Sequence, residues 1–245
     1  MKQIVSRGLR LWAEGLLLLA LRWAQLQNGF DPATGLSQKS LPGLLLPIAI
    51  LLMAALEAVL ALRLPKGKQS YAACFDPPGY LPLLVGGSLL LAAGAVLLPG
   101  WSVLHIAAAV GGVAAAAGLI LFARIVRGGG DVKCLPMIPA MFFGVLFLLA
   151  VYLPEGSNPV LARYYLPVLA AALADCAFYQ LAGIALGECG VRWFSLLGGL
   201  SVPLCLAALA DCAENLGRAL VFLGFALVIT VFLLLRRTPA EMEDK

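Results

Sequence analysis

Long apolar runs, each closed by residues that break helices, recur along the whole chain. Pro42–Leu62, Leu81–Leu98, Ser102–Ala123, Leu135–Leu153, Tyr164–Leu186, Trp193–Cys212 and Ala219–Leu235 are apolar almost throughout. The punctuation between them is Pro65, Pro77-Pro78, Pro99-Gly100, Gly128-Gly129-Gly130, Pro154-Glu155-Gly156 and Gly187. A helix needs about 20 predominantly apolar residues to cross a bilayer, and these runs meet or approach that length. The pattern predicts an all-α fold, a polytopic transmembrane helical bundle.

An eighth segment, residues 8–27, differs from the others. At a helical turn of about 100° per residue, Arg7, Arg10, Glu14, Arg22 and Gln25 fall within one arc of about 120°. Leu16, Leu19 and Leu26 lie elsewhere on the wheel. Such a helix either lies flat in the interface or spans with its polar arc turned to the bundle interior. The basic residues separate the two cases. With eight alternating spans and the N-terminus in the cytoplasm, Arg22, Lys39, Arg163 and Arg218 fall outside, and the other 13 of the 17 Lys and Arg fall inside. Laying the first segment flat on the outer surface moves Lys2, Arg7 and Arg10 across and weakens the bias to 10 against 7. The positive-inside rule therefore favours eight spans, with seven as the alternative, and places both termini in the cytoplasm of a cell-membrane protein. Lys2, Arg7 and Arg10 before Leu16–Leu21 imitate a signal peptide, but Arg22, Gln25 and Gln27 stand where a small-residue cleavage site belongs. The segment is expected to be retained.

Composition agrees with this pattern. Of 245 residues, 62% are hydrophobic and only 12% charged, about half the charge of a soluble domain. Mean hydropathy is +0.97. The principal partner is then the lipid bilayer, and residues 1–245 read as one membrane domain, since no polar stretch is long enough for a second. The net charge of +4 is spread over short loops, so it reports orientation and gives no nucleic-acid signal. The six cysteines form no C-x-x-C pair and have no histidine cluster beside them, which reads as reduced thiols with no zinc site.

Function in such a chain has to reside in polar groups held inside the membrane. Asp175 lies near the middle of its span, where an ionised carboxylate is costly unless it faces the interior, is protonated or finds a partner. Tyr179 is one turn away and is placed to donate to it. The reading is a proton or cation site, with packing glue between helices as the competing role. Glu57 and Glu14 fall at similar inner depths of two consecutive antiparallel helices, and Arg10 precedes Glu14 by four residues on one face. Arg10, Glu14 and Glu57 therefore form a second candidate for ion or proton coupling. Mutual neutralisation of Arg10 and Glu14, with Glu57 reaching the interface, is the simpler account. His105 near an outer helix end reads as an interfacial anchor, and Asp211, Glu214 and Arg218 as a solvated outer turn.

Two echoes run through the chain. Ala171–Ala177 recurs residue for residue as Ala207–Ala213, and Phe-Asp-Pro occurs at Phe30–Pro32 and Phe75–Pro77. The abundance of Ala and Leu accounts for most of the first, and neither extends far enough to argue a structural repeat. Asp31–Gly35 has the chemistry of a turn. Gly86, Gly87, Gly94, Gly111, Gly112 and Gly118 offer small faces for close helix approach, and Pro47, Pro139, Pro167 and Pro203 offer places where spans break. No G-x-S-x-G, H-E-x-x-H or P-loop is present, and Ser195 and His105 fall at opposite membrane faces, which argues against a hydrolase and implies no cofactor. The sequence leads to a small permease for an ion or small solute. The alternative is a non-transporting subunit that binds other membrane proteins through its small-residue faces.

Overall fold

The computed structural model describes residues 2–31, 34, 36–76, 81–100, 102–127, 135–156 and 160–237. The Pro77-Pro78 and Gly128–Gly130 breakers, Trp101, Cys134, and Pro32, Ala33 and Gly35 of the first outer turn lie outside the described residues.

Those residues are helical and contain no strand, only isolated bridges. The α-helices are α1 (Lys2–Asn28), α2 (Leu41–Leu62), α3 (Tyr71–Cys74), α4 (Leu81–Val96), α5 (Val103–Arg127), α6 (Ile138–Glu155), α7 (Leu161–Ala185), α8 (Val191–Ala208) and α9 (Leu216–Leu235). A 3-10 turn precedes α6 (Leu135–Met137) and another follows α8 (Leu209–Cys212). Six helical segments are long and apolar enough to cross a membrane: α2, α5, the Leu135–Pro154 segment containing α6, α7, the Val191–Cys212 segment containing α8, and α9. The protein is thus an apolar, all-helical, membrane-embedded bundle. The expected count of eight is larger, and both extra members have a physical peculiarity. α4 is only 16 residues, about 24 Å at 1.5 Å per residue, against a hydrocarbon core of about 30 Å. The chain turns after it at Gly100, whose φ of +120° suits glycine. α1 has length enough, 27 residues, but carries the polar arc.

α8 and α9 form the centre: 72% and 67% of their most apolar windows are buried, against 22% for α2 at the periphery. α1 packs along α8, with α2 against both. α4 lies between α5 and α9, and α6 and α7 complete the ring from α5 back to α8. α1 runs the length of the two central helices. Its Gly8 abuts Leu234 near the end of α9 and Gly15 abuts Leu206 late in α8. Between them the Trp12 indole N–H donates to Thr230 Oγ1 at 3.1 Å. The polar arc of α1 faces inward: Arg22 and Gln25 are buried while Leu16 and Leu17 are exposed.

Aromatic rings fill the core in two groups. Phe143, Phe147, Phe178, Phe222 and Phe225 interlock among α6, α7 and α9. At the end where α2 and α9 finish, the 63–76 connection folds back onto the bundle: Tyr71 stacks on Phe75 at 4.7 Å, and Phe75 meets Phe194 and Phe232 edge-on. Asp76 N–H donates to Leu235 O and Arg237 N–H to Cys74 O, both at 2.8 Å, and the Arg237 guanidinium pairs with Asp76 at 2.9 Å.

The small faces are used selectively. A Cβ on Gly94 would lie 2.7 Å from both Gly217 O and Val221 N, so α4 and α9 touch backbone to backbone; Gly86, one position from the buried Gly87, meets nothing. Gly94→Leu is expected to destabilise the fold by about 1–3 kcal/mol or more through overpacking, and Gly86→Leu to leave it within about 0.5 kcal/mol. Unfolding in mild detergent checks this pair. The prolines do not break the spans: α2, α7 and α8 continue through Pro47, Pro167 and Pro203, and Pro139 sits in the first turn of α6, where it is tolerated.

Candidate functional site

Arg10 and Glu14 are on successive turns of α1, and Glu57 is near the end of α2. The antiparallel α1–α2 pair brings them together. The Arg10 guanidinium donates to Glu57 Oε1 in a close ion pair, and its Nε lies 3.5 Å from Glu14 Oε1. Glu57 is 1% exposed, so its carboxylate is buried in the bundle, and Arg10, which the simpler sequence account pairs with Glu14 alone, makes its closer ion pair with Glu57. Its carboxylate fits because residue 199 of α8 is glycine: a Cβ there would fall on the Glu57 carboxyl, 2.8 Å from Cδ.

Further cations gather around Glu57. Arg7 and Arg236 are near enough to act on it electrostatically, and Arg236 Nη1 donates to Ser195 Oγ at 2.5 Å. The cluster thus draws on α1, α2, α8 and the end of α9. Sequence reasoning missed Arg7, Arg236 and Ser195 as members. A basic residue just past an apolar run reads as a headgroup anchor, and the only available signal was a serine among the apolar residues of α8. Among the described residues, several buried atoms in the cluster have no hydrogen-bond partner: Glu57 Oε2, Glu14 Oε2, Arg10 Nε and Arg236 Nε. Native interiors leave few such groups, and each calls for an explanation. Here orphaned acceptors and donors stand together, which suits a small polar species able to give and receive hydrogen bonds.

At the other end of the bundle a second buried network is complete. Arg22 of α1 is 0% exposed and forks onto Asp211, with Nε at 3.0 Å from Oδ2 and Nη2 at 2.5 Å from Oδ1. It also donates to Gln25 Oε1, Ala162 O and Arg163 O, and lies 5.6 Å from the centroid of Tyr165. Asp211 therefore ties α1 to the end of α8, a role its reading as part of a solvated outer turn did not include, and it still lines the polar cavity there with Glu214 and Arg218. The echo explains nothing further: Asp175 sits at mid-helix, whereas Asp211 sits in a 3-10 turn. Beside this anchor, Arg163, Tyr164, Asp211, Glu214 and Arg218 line a polar cavity of about 440 Å³.

No protein-family model, curated protein or solved structure matches this chain.

Asp175 stands apart from both networks. It lies between α6 and α7, where Gly144 leaves the room its carboxylate takes. Met141, Phe142, Val145, Cys176 and Tyr179 share its cleft of about 220 Å³. Among the described residues no hydrogen bond to Asp175 is formed, from Tyr179 or any other group; Tyr179 lines the same cleft and is 57% exposed. His105 lies outside all three places and contacts Ser102 Oγ through Nδ1 at 2.6 Å.

Proposed function

We propose that this protein is a small multi-pass permease of the cell membrane for an ion or small solute, with Glu57 as its coupling group and Arg10 and Glu14 as partners. The observation that carries the reading is the buried carboxylate of Glu57 amid an excess of arginines, with one oxygen that has no hydrogen-bond partner among the described residues. Ionisable groups inside a membrane are expensive and mark pathways for ions, protons or substrates. A purely structural ion pair would gain by satisfying every atom, as Arg22 and Asp211 nearly do. The polar cavity beside Arg163 and Glu214 supplies a water-accessible entrance at the opposite end.

The same reading places eight helices across the bilayer. α1 reaches from the end of α9 to the turn after α8, and the basic residues concentrate on the side where α1 begins. Both termini then lie in the cytoplasm, and the Glu57 cluster lies near the cytoplasmic face.

Proteoliposomes loaded with a pH-sensitive dye test the proposal, under imposed gradients of sodium, potassium and a panel of small metabolites. Wild-type protein is expected to move protons with at least one gradient, and Glu57→Gln to lose at least 90% of that flux while inserting normally. Flux unchanged in Glu57→Gln would remove Glu57 from the pathway. No flux under any gradient, together with co-purification of another membrane protein in mild detergent, would instead favour a non-transporting subunit.

A further inference from the structure

The Asp175 cleft has a chemistry of its own, independent of the Glu57 cluster. It lies halfway along both helices that form it: Asp175 is near the centre of α7, and Gly144 is near the centre of the Leu135–Pro154 span. Its walls are Met141, Phe142, Val145 and Tyr179. Phe142, Val145 and Tyr179 are 67%, 45% and 57% exposed on the outer surface of an apolar bundle, so the cleft opens sideways into lipid. A single carboxylate is the only acidic group lining it, and no donor within the described residues reaches that carboxylate.

We propose that this cleft binds hydrophobic ammonium compounds that enter from the bilayer, with Asp175 as the counter-ion and Phe142 and Tyr179 as the aromatic walls. A carboxyl group in an apolar site stays ionised only when paired and otherwise holds its proton, and an ammonium group supplies both the charge and the N–H donors that Asp175 lacks. Aromatic faces attract the same cation, most strongly where water is excluded. The apolar body of the ligand fills the rest of the cleft, and about 220 Å³ suits a molecule with one ring. A neutral ligand of the same shape gains the apolar contacts but leaves the carboxylate unpaired. An anion is repelled.

The test uses full-length protein in lipid nanodiscs and phenethylamine, a primary ammonium with one ring, as the radiolabelled probe. Saturable binding is expected in the wild type and at least tenfold weaker binding in Asp175→Asn. Val145→Trp, which fills the cleft and leaves the carboxylate in place, should also bind at least tenfold more weakly, guarding against misfolding of the Asp175 variant. The uncharged analogue 2-phenylethanol should not compete. A photoreactive diazirine derivative of the probe should attach to Met141, Phe142, Val145 or Tyr179. The proposal is overturned by any of four results: no saturable binding; equal binding in folded Asp175→Asn; attachment confined to other helices; or a Cys176–Cys176 cross-link in nanodiscs holding two copies, which would show that a second copy covers the cleft.

Discussion

Replacing Arg22 with alanine is expected to cost the fold about 3–5 kcal/mol, the range for removing one partner of a buried ion pair. Arg22 is 0% exposed and serves Asp211, Gln25 and two backbone carbonyls at the start of α7. Its loss takes the guanidinium away from the Asp211 carboxylate, whose side chain is 9% exposed, and leaves the carbonyls of Ala162 and Arg163 without this donor. Lysine is a poor substitute: it carries the charge but cannot fork onto both carboxylate oxygens while also reaching two carbonyls. Arg22→Lys should therefore recover less than half of the loss. Arg22→Leu combined with Asp211→Leu should be less damaging than either single change, since it removes both charges together. Denaturant titration of the purified protein in bicelles measures all five variants, the two single leucine changes included. Equal stability of Arg22→Ala and wild type would mean that the network contributes nothing.

Glu57→Leu should destabilise by an amount in the same range, about 3–5 kcal/mol, but for a different reason and with a different signature. Arg10 keeps Glu14 at 3.5 Å after the change, so its charge is not wholly stranded. Arg7 and Arg236 then lose the carboxylate that offsets their mutual repulsion. The expected signature is partial rescue by Arg236→Leu, because one of the two repelling arginines is removed along with the acid while Arg10 keeps Glu14. Gly199→Ala offers an independent check, because its added carbon would fall on the Glu57 carboxyl without altering any charge. It should reproduce much of the Glu57→Leu effect. If Gly199→Ala is silent, the carboxylate is free to move and its tight seat on α8 is not needed for stability. Thermal unfolding followed by size-exclusion chromatography separates these outcomes.

The two networks show how differently polar residues in apolar helices can be read. Arg10 with Glu14 was legible as an i,i+4 pair, and the antiparallel order of α1 and α2 brought Glu57 to the same depth. Arg22 with Asp211 was not legible: 189 positions separate them, and each has a plausible local role, as an outer charge and as a turn residue. Tyr179 shows the converse. Helical spacing put it one turn from Asp175 and the two do line one cleft, yet a shared face does not by itself bring a hydroxyl to a carboxylate, and among the described residues no hydrogen bond joins them.

Hydrophobic length and helix-breaking residues determined the class of this protein in advance, because the bilayer demands internally satisfied backbone and long apolar helices whatever the neighbours are. The inward-facing polar arc of α1 was among the two orientations that periodicity allowed. Tertiary packing decided the rest. It pressed the 16-residue α4 against α9, drew Arg7, Arg236 and Ser195 to the Glu57 cluster, and left Asp175 half-buried in a cleft across from Gly144. A helix's own sequence sets which residues share a face. Which face meets which partner depends on where the small residues let other backbones approach, and that is a property of pairs of helices distant in the chain.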